Sequence, residues 1–335
     1  MKGEFRGNLV HVGPNARERF YDSRGYGIPD GAGLTLAPVE AAHLLYRGDL
    51  DSIDGDGLRA FLRSVQGLTA RFIVYKDLRD RGFYLVPDRE GWVETPGDED
   101  FVVFPRGKGP WDDEVAYRVR VVGERADISA RSLGDVVLGV VDEESEITYF
   151  ETEIPEIGGS SRIDLPSGIE ADLLDDQVLV WGEADELYDR GFYGRPLDEE
   201  TTALQLSLIE ASYLAEQGVL DIIEGDAAVL ERGQAVEGER FDRRLTVYRH
   251  LREQGVVPKT GFKFGADFRT YADVESVDEL GHSELLVRVL PAAHAFSPRE
   301  LALDVRLAHG VRKRMAFALT DGESVEWRAA SRLTP

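Results

Sequence analysis

The sequence predicts a mixed α/β (α+β) protein built by tandem duplication of a two-subdomain unit, and three observations predict it. A tyrosine- and glycine-rich motif occurs twice, each copy runs into the same helical pattern, and a Gly/Ser/Pro-rich stretch lies between the copies. A self-similar pattern of this kind is the mark of a repeated structural unit.

Leu9-Val10-His11-Val12 followed by Tyr21-Asp22-Ser23-Arg24-Gly25-Tyr26-Gly27 recurs as Val178-Leu179-Val180-Trp181 followed by Tyr188-Asp189-Arg190-Gly191-Phe192-Tyr193-Gly194. Leu34 to Tyr46 and Ala203 to Ala215 then place apolar residues at helix spacing, with glycine stops at Gly48 and Gly218. Val74-Tyr75-Lys76-Asp77-Leu78 is echoed by Val247-Tyr248-Arg249-His250-Leu251, and each reads as a helix closed by glycine and followed by an extended segment. In the last part, Val119, Leu133, Val137, Ile147 and Tyr149 align without gaps on Val287, Leu301, Val305, Met315 and Phe317, which predicts strand, helix, strand in both copies. Ile154-Pro155-Glu156-Ile157-Gly158-Gly159-Ser160-Ser161 fits a linker. The expected organisation is a first repeat over 1–153, a linker over 154–170 and a second repeat over 171–335, whose C-terminal mixed-sheet subdomain covers about 241–335.

Composition narrows the chemistry. The 335 residues are 42% hydrophobic and 30% charged, suited to two globular domains. No apolar stretch approaches the roughly 20 residues that span a bilayer, and the first residues lack a signal peptide's apolar core, so a cytoplasmic location without membrane contact is expected. With no cysteine, any catalysis rests on His, Tyr, Lys, Arg, Ser or carboxylates. The net charge of −24 is uneven: residues 241–335 carry 15 Lys and Arg against 13 Asp and Glu, whereas the preceding residues carry 24 against 50. Abundant acid with scarce lysine suits a protein hydrated in concentrated salt, where a screening length of about 3 Å lets a polyanion be approached.

The repeats differ in their polar chemistry. The second contains Tyr271 in Phe268-Arg269-Thr270-Tyr271, His282 in Gly281-His282-Ser283, and Lys313 in Val305-Arg306-Leu307-Ala308-His309-Gly310-Val311-Arg312-Lys313. The gapless alignment sets Glu114 against His282 and Ser145 against Lys313 in the first, and matching Phe268 to Phe101 sets Phe104 near Tyr271. Together with Gly261-Phe262-Lys263-Phe264-Gly265, these strings resemble the catalytic domain of the archaeal tRNA-splicing endonucleases, in the two-repeat homodimeric form. The resemblance is close from about Tyr248 to Arg328 and covers the first repeat only as scaffold.

That resemblance implies a nuclease-like C-terminal subdomain and an endoribonuclease that excises introns from precursor tRNA. It implies cutting at a bulge-helix-bulge, without metal or other cofactor, leaving 2′,3′-cyclic phosphate and 5′-hydroxyl ends. Tyr271 takes the role of base, His282 of acid and Lys313 of electrostatic stabiliser. The chemistry needs such groups, because a ribose 2′-hydroxyl attacking its neighbouring phosphate requires a proton acceptor, a proton donor for the leaving 5′-oxygen and a cation for the developing charge. Arg306 and Arg328 match the arginines that sandwich a bulged base in the family, and guanidinium planes stack well on bases. Arg269, Arg312 and Arg314 are candidate phosphate contacts, while His294 and His309 are weaker candidates.

One active site per chain and two cuts per intron imply a homodimer. The family docks an acidic loop of a non-catalytic unit into a basic groove of the other chain, and both Asp98-Glu99-Asp100 and Asp142-Glu143-Glu144 are candidates. The C-terminal strand around Val325 to Ala329 is expected to pair edge to edge in the dimer. A non-catalytic RNA-binding or assembly subunit is the main rival reading, and a Mg²⁺-dependent nuclease the second.

Overall fold

The computed structural model describes residues 1–112, 114–182, 185–198, 203–281 and 283–335. In the first half, β1 (Lys2–Arg6), β2 (Leu9–Val12), β3 (Ile28–Asp30), β4 (Gly33–Leu36) and, after α1 (Pro38–Tyr46), β5 (Ser52–Ile53) make a five-stranded sheet in the order β3-β4-β2-β1-β5. Helices α2 (Leu58–Ser64) and α3 (Leu68–Asp80) lead to β6 (Leu85–Pro87), β7 (Phe101–Val103), β8 (Tyr117–Gly123), the short β9 (Ile128–Ser129), β10 (Val137–Val141) and β11 (Ile147–Glu153).

The second half repeats this plan. β12 (Ile169–Leu174), β13 (Gln177–Trp181), α4 (Asp185–Asp189), β14 (Arg195–Pro196), β15 (Ala203–Ser207), α5 (Leu208–Glu216) and β16 (Leu220–Ile222) form a sheet of order β14-β15-β13-β12-β16. Helices α6 (Asp226–Glu237) and α7 (Glu239–Glu253) follow, then β17 (Val257–Thr260), β18 (Phe268–Tyr271), β19 (Leu285–Pro291), β20 (Ala295–Phe296), α8 (Pro298–Gly310), β21 (Arg314–Thr320) and β22 (Val325–Leu333).

The repeated motif has a physical cause. Gly27 and Gly194 adopt φ of +68° and +59°, and a Cβ on either would stand 2.5 or 2.3 Å from a backbone oxygen, so only glycine fits. Each glycine donates its N–H to a buried glutamate in the first turn of the next helix, Glu40 at 2.7 Å and Glu210 at 3.0 Å. That glutamate also accepts the N–H of the residue before the helix, Ala37 or Ser207, and so satisfies donors that a helix start leaves open. The preceding tyrosines, Tyr26 and Tyr193, are stacked by Arg79 at 4.2 Å and Arg252 at 3.8 Å from the last turns of α3 and α7. The expected helices over Leu34–Tyr46 and Ala203–Ala215 begin later than periodicity suggested, because their first residues are strands β4 and β15. Gly48 and Gly218 end them as expected, in left-handed backbone.

The halves meet in one ten-stranded sheet, ordered β17-β18-β19-β21-β22-β11-β10-β8-β7-β6. Its central joint is the antiparallel pair β11 and β22, with Tyr149 opposite Leu333 and Glu153 opposite Ala329. One face of this joint is a shared core in which Leu138 and Phe150 of the first half pack with Leu286, Phe296, Leu301, Met315 and Phe317 of the second. Each half keeps a further core of its own.

Two expectations are corrected here. The gapless alignment of the last part fails after β8 and β19: the first half has only a 3₁₀ turn, Ala130–Ser132, where the second has α8. Val137–Val141 is strand, buried along its whole length, and a continuous apolar run of this kind cannot be told from helix by periodicity. Register then pairs Val119 with Val137 and Val287 with Ala316, so the first-half counterpart of Lys313 is Gly134 and not Ser145. Phe104 does stand where Tyr271 does, since Phe101 and Phe268 face Val119 and Val287. The C-terminal strand, secondly, is not a free edge. From Ala329 onward it is taken by β11 of the same chain, and its earlier part faces the Ala130–Ser132 turn, where Arg131 pairs with Glu326 at 2.8 Å.

Phe317 is fully buried at this joint. Phe317→Ala is expected to cost about 3–5 kcal/mol, and guanidinium unfolding followed by first-half and second-half fluorophores checks whether both report the same loss.

Candidate active site

Three neighbouring strands bring the candidate groups to one end of the sheet. β18 finishes there with Tyr271, β19 begins there with Leu285, and β21 begins there with Arg314, which lies opposite Leu285. Antiparallel β18–β19 and parallel β19–β21 pairing make these termini coincide. In β18 the alternation of side chains puts Arg269 and Tyr271 on one face, and the Arg269 guanidinium stands 5.7 Å from the centre of the Tyr271 ring. The ring is 8% exposed, packed edge-on against Phe192 at 5.5 Å and beside Val257 and Val274.

Lys313 arrives by a different route. Ser297 caps α8 by accepting the Glu300 N–H at 3.2 Å, Pro298 opens the helix, and Leu301, Val305 and Ala308 seat it on the sheet. The helix ends in a tight turn in which Arg312 takes φ +57° and the Lys313 N–H returns to the Ala308 carbonyl at 2.9 Å. The Lys313 ammonium then donates to the Ser283 carbonyl. Burial, and behind it the positive charge of Arg269, lower the Lys313 pKa from its ordinary value. Arg269 is therefore near both Tyr271 and Lys313. Its buried Nε has no hydrogen-bond partner, and neither has the buried Ser283 hydroxyl. His282 lies outside the described residues.

The other candidates are dispersed. Arg306 is exposed on α8 and Arg312 on the turn that follows, and their side chains make no hydrogen bond or ion pair among the described residues. Arg314 pairs with Glu153 of the first half. Arg328 lies opposite Phe317, about 10 Å along the sheet from the start of β21 at about 3.3 Å per residue. It donates to the carbonyls of Arg131 and Trp327, so within one chain it is not brought to Tyr271 and Lys313. His294 stands 3.5 Å from Glu300 and edge-on to Phe296, and His309 is exposed at the end of α8.

Along β17 and β18 a groove of about 860 Å³ runs between the two subdomains of the second half, lined by Arg195, Arg244, Lys259, Lys263, Phe268 and Arg269. Lys259 and Arg244 are committed to Glu210 and Glu237. Arg195 and Lys263 have no ion pair among the described residues, and sequence reasoning missed both. Their signal was faint: Lys263 sits in the Gly261–Gly265 string, whereas nothing local marks Arg195.

A family model for the tRNA intron endonuclease catalytic C-terminal domain matches residues 241–327, the segment that carries Tyr271, Arg269 and Lys313. The model for the N-terminal domain of the same enzymes matches 1–61 and again 169–232. The chain belongs to the tRNA intron endonuclease family. It is 63% identical to the tRNA-splicing endonuclease of Natronomonas pharaonis, 60% to that of Haloarcula marismortui and 57% to that of Haloferax volcanii, each over the full length of both chains. These halophilic sources accord with the acid-rich, lysine-poor composition. Among the described residues no helix is long and apolar enough to cross a membrane.

The groove wall holds a charge pair that separates the endonuclease's two halves. Burial alone would raise the Glu210 carboxyl, but Lys259 at 2.8 Å and the N–H groups of Ser207 and Gly194 hold it down at about 2. Its counterpart Glu40 has no lysine; burial lifts it to about 7 against the N–H groups of Gly27, Ala37 and Trp92. A carboxyl lowered on folding contributes stability that is present above its unfolded value of about 4.5 and is lost as pH falls through the folded one. Lys259→Met should therefore cost about 3–5 kcal/mol at pH 8 and distinctly less at pH 4, where the stranded Glu210 takes a proton; thermal melts at the two pH values check this.

Proposed function

We infer that the chain excises introns from precursor tRNA, cutting at bulge-helix-bulge sites without metal and leaving 2′,3′-cyclic phosphate and 5′-hydroxyl ends. The observation that supports this reading is that Arg269 is near both the Tyr271 ring and the Lys313 ammonium, in the half that matches the catalytic family model. Tyr271 accepts the proton of the substrate's 2′-hydroxyl as its oxygen bonds to phosphorus. His282 gives a proton to the 5′-oxygen as the P–O5′ bond breaks. Lys313, with Arg269 behind it, balances the charge on the phosphoryl oxygens in between. Phe104 and Gly134 in the matching places deprive the first half of both groups, which supports a scaffold role for it.

The chain is read as a duplicated unit, divided at 1–153, 154–170 and 171–335, with two chains acting as a homodimer so that two sites meet two bulges. Repetition of one strand order and two matches of the N-terminal family model support the duplication. For docking, the structure favours Asp142-Glu143-Glu144. These residues form the exposed tip between β10 and β11, where Asp142 caps its own turn, Glu143 pairs with the exposed Arg125 at 2.6 Å and Glu144 faces solvent. In Asp98-Glu99-Asp100, Glu99 pairs with Arg120 and Asp100 with Arg71 inside the chain. The groove carrying Arg195 and Lys263 has the charge to receive the tip. Arg306 and Arg328 grip the bulged base, at a site shared between chains because one chain keeps them apart.

Incubation with precursor tRNA in EDTA and high salt should give two cuts. Tyr271→Phe and Lys313→Ala should each slow the single-turnover rate by about 10²–10⁴-fold. Dimer formation and RNA binding without cutting would instead favour the non-catalytic subunit, and loss of cutting in EDTA the metal-dependent nuclease. Glu143→Lys with Glu144→Lys should shift the chain towards monomer in sedimentation and reduce cutting at both sites.

A further inference from the structure

We propose that the segment joining the two halves positions the catalytic tyrosine, with Gly159, Ser160 and Ser161 acting as positioning residues for Tyr271 and the loop that follows it. The inference rests on the reading of Tyr271 given above.

A Gly/Ser/Pro-rich tether is expected to be a solvated, flexible coil. This one is laid against the second half. Ile157 and Leu165 pack on its core, and between them the backbone makes three hydrogen bonds: Gly159 N–H to the Gln254 carbonyl at 2.9 Å, Ser160 N–H to Ala272 at 2.8 Å and Ser161 N–H to Gly255 at 2.9 Å. Two serine side chains add to these. The Ser160 hydroxyl donates to Asp273 at 2.7 Å, and the Ser161 hydroxyl accepts the Val274 N–H at 2.7 Å. The fit is close, since a Cβ on Gly159 would lie 2.4 Å from the carbonyl oxygens of Ala272 and Gly255. Gly255 itself takes φ +75°, and a Cβ there would lie 2.5 Å from the Gly159 oxygen.

The three residues gripped on the loop side, Ala272, Asp273 and Val274, come directly after Tyr271. Val274 packs in the same apolar cluster as the Tyr271 ring. β17 holds Tyr271 from one side, with Val257 opposite it in register, and the joining segment ties the chain just beyond to the end of α7. Without that tie the chain just beyond Tyr271 would keep only the packing of Val274, and the tyrosine oxygen would be less closely fixed. A misplacement of about 1 Å in a reacting group is enough to cost about 10²-fold in rate. A segment that served only as a tether would need none of these contacts. A chain that places its joining segment here makes the geometry of its one active site depend on the covalent link between the halves.

The test is Ser161→Ala, which leaves the Val274 N–H without its acceptor, alongside Gly159→Val and the conservative Ser161→Thr. Single-turnover cutting of precursor tRNA should fall about tenfold or more at saturating substrate in Ser161→Ala and further in Gly159→Val. KM should stay within twofold, and Ser161→Thr should recover most of the rate. An unchanged rate in Ser161→Ala, a loss confined to KM, or a failure of threonine to restore the rate would overturn the proposal. Tyr271→Phe measured in parallel separates the two claims. If it cuts like the parent, the reading of Tyr271 is wrong; if it is slow while Ser161→Ala is normal, only the positioning role is wrong.

Discussion

The architecture depends on one interaction, the antiparallel pairing of β22 with β11. Five residue pairs from Glu153–Ala329 to Tyr149–Leu333 turn two five-stranded halves into a single sheet, and the apolar face beneath them belongs to neither half alone. Separated, each half would expose a hydrogen-bonding edge and the side chains of the shared core, both liabilities in water. The joint also fixes β21, which lies against β22 on one side and β19 on the other. The start of β21 sets where Lys313 stands, so the candidate site at that end of the sheet inherits its geometry from the joint. The outer rims, β17 and β6, are left free of this duty, and on the β17 rim the groove opens.

The two halves share one plan and differ at few but consequential places. Both keep the tyrosine–arginine stack and the glycine held by a buried glutamate, because these set the turn and the helix start on which each N-terminal sheet is built. The second half neutralises that glutamate with Lys259; the first leaves Glu40 to desolvation. The second half crosses from β19 to β21 through α8, which delivers Lys313 to the sheet end, whereas the first makes the crossing in a single 3₁₀ turn. Without such a helix the first half has no equivalent means of presenting a lysine there.

Much of this was legible in the sequence. The glycines at 27 and 194 and the helix stops at 48 and 218 announced the repeat because each is demanded by local backbone geometry. Tyr271 was singled out against Phe104 in the first half, and strand register agrees with that match. What misled was uniform burial. Val137–Val141 carries no periodic signature, so an alignment without gaps read helix where there is strand and matched Lys313 to Ser145. The inner position of β22 was equally hidden, since an inner strand and an edge strand of similar apolar content differ only in what pairs with them. Arg269 was underrated for a similar reason, as its nearness to Lys313 arises from the β18–β19–β21 register and not from sequence distance. The grip of the joining segment on residues 272–274 lay beyond a composition that reads as flexible.

The central claim is that the substrate's own 2′-hydroxyl is the nucleophile, with the cluster at the end of β18, β19 and β21 serving that attack. The most direct measurement uses a precursor tRNA with a single 2′-deoxy nucleotide immediately 5′ of one splice junction, product ends being identified by mass spectrometry. The substituted junction should stay intact while the other is still cut and carries a 2′,3′-cyclic phosphate. Cutting at the deoxy junction, or a 3′-hydroxyl at the other, would contradict the claim.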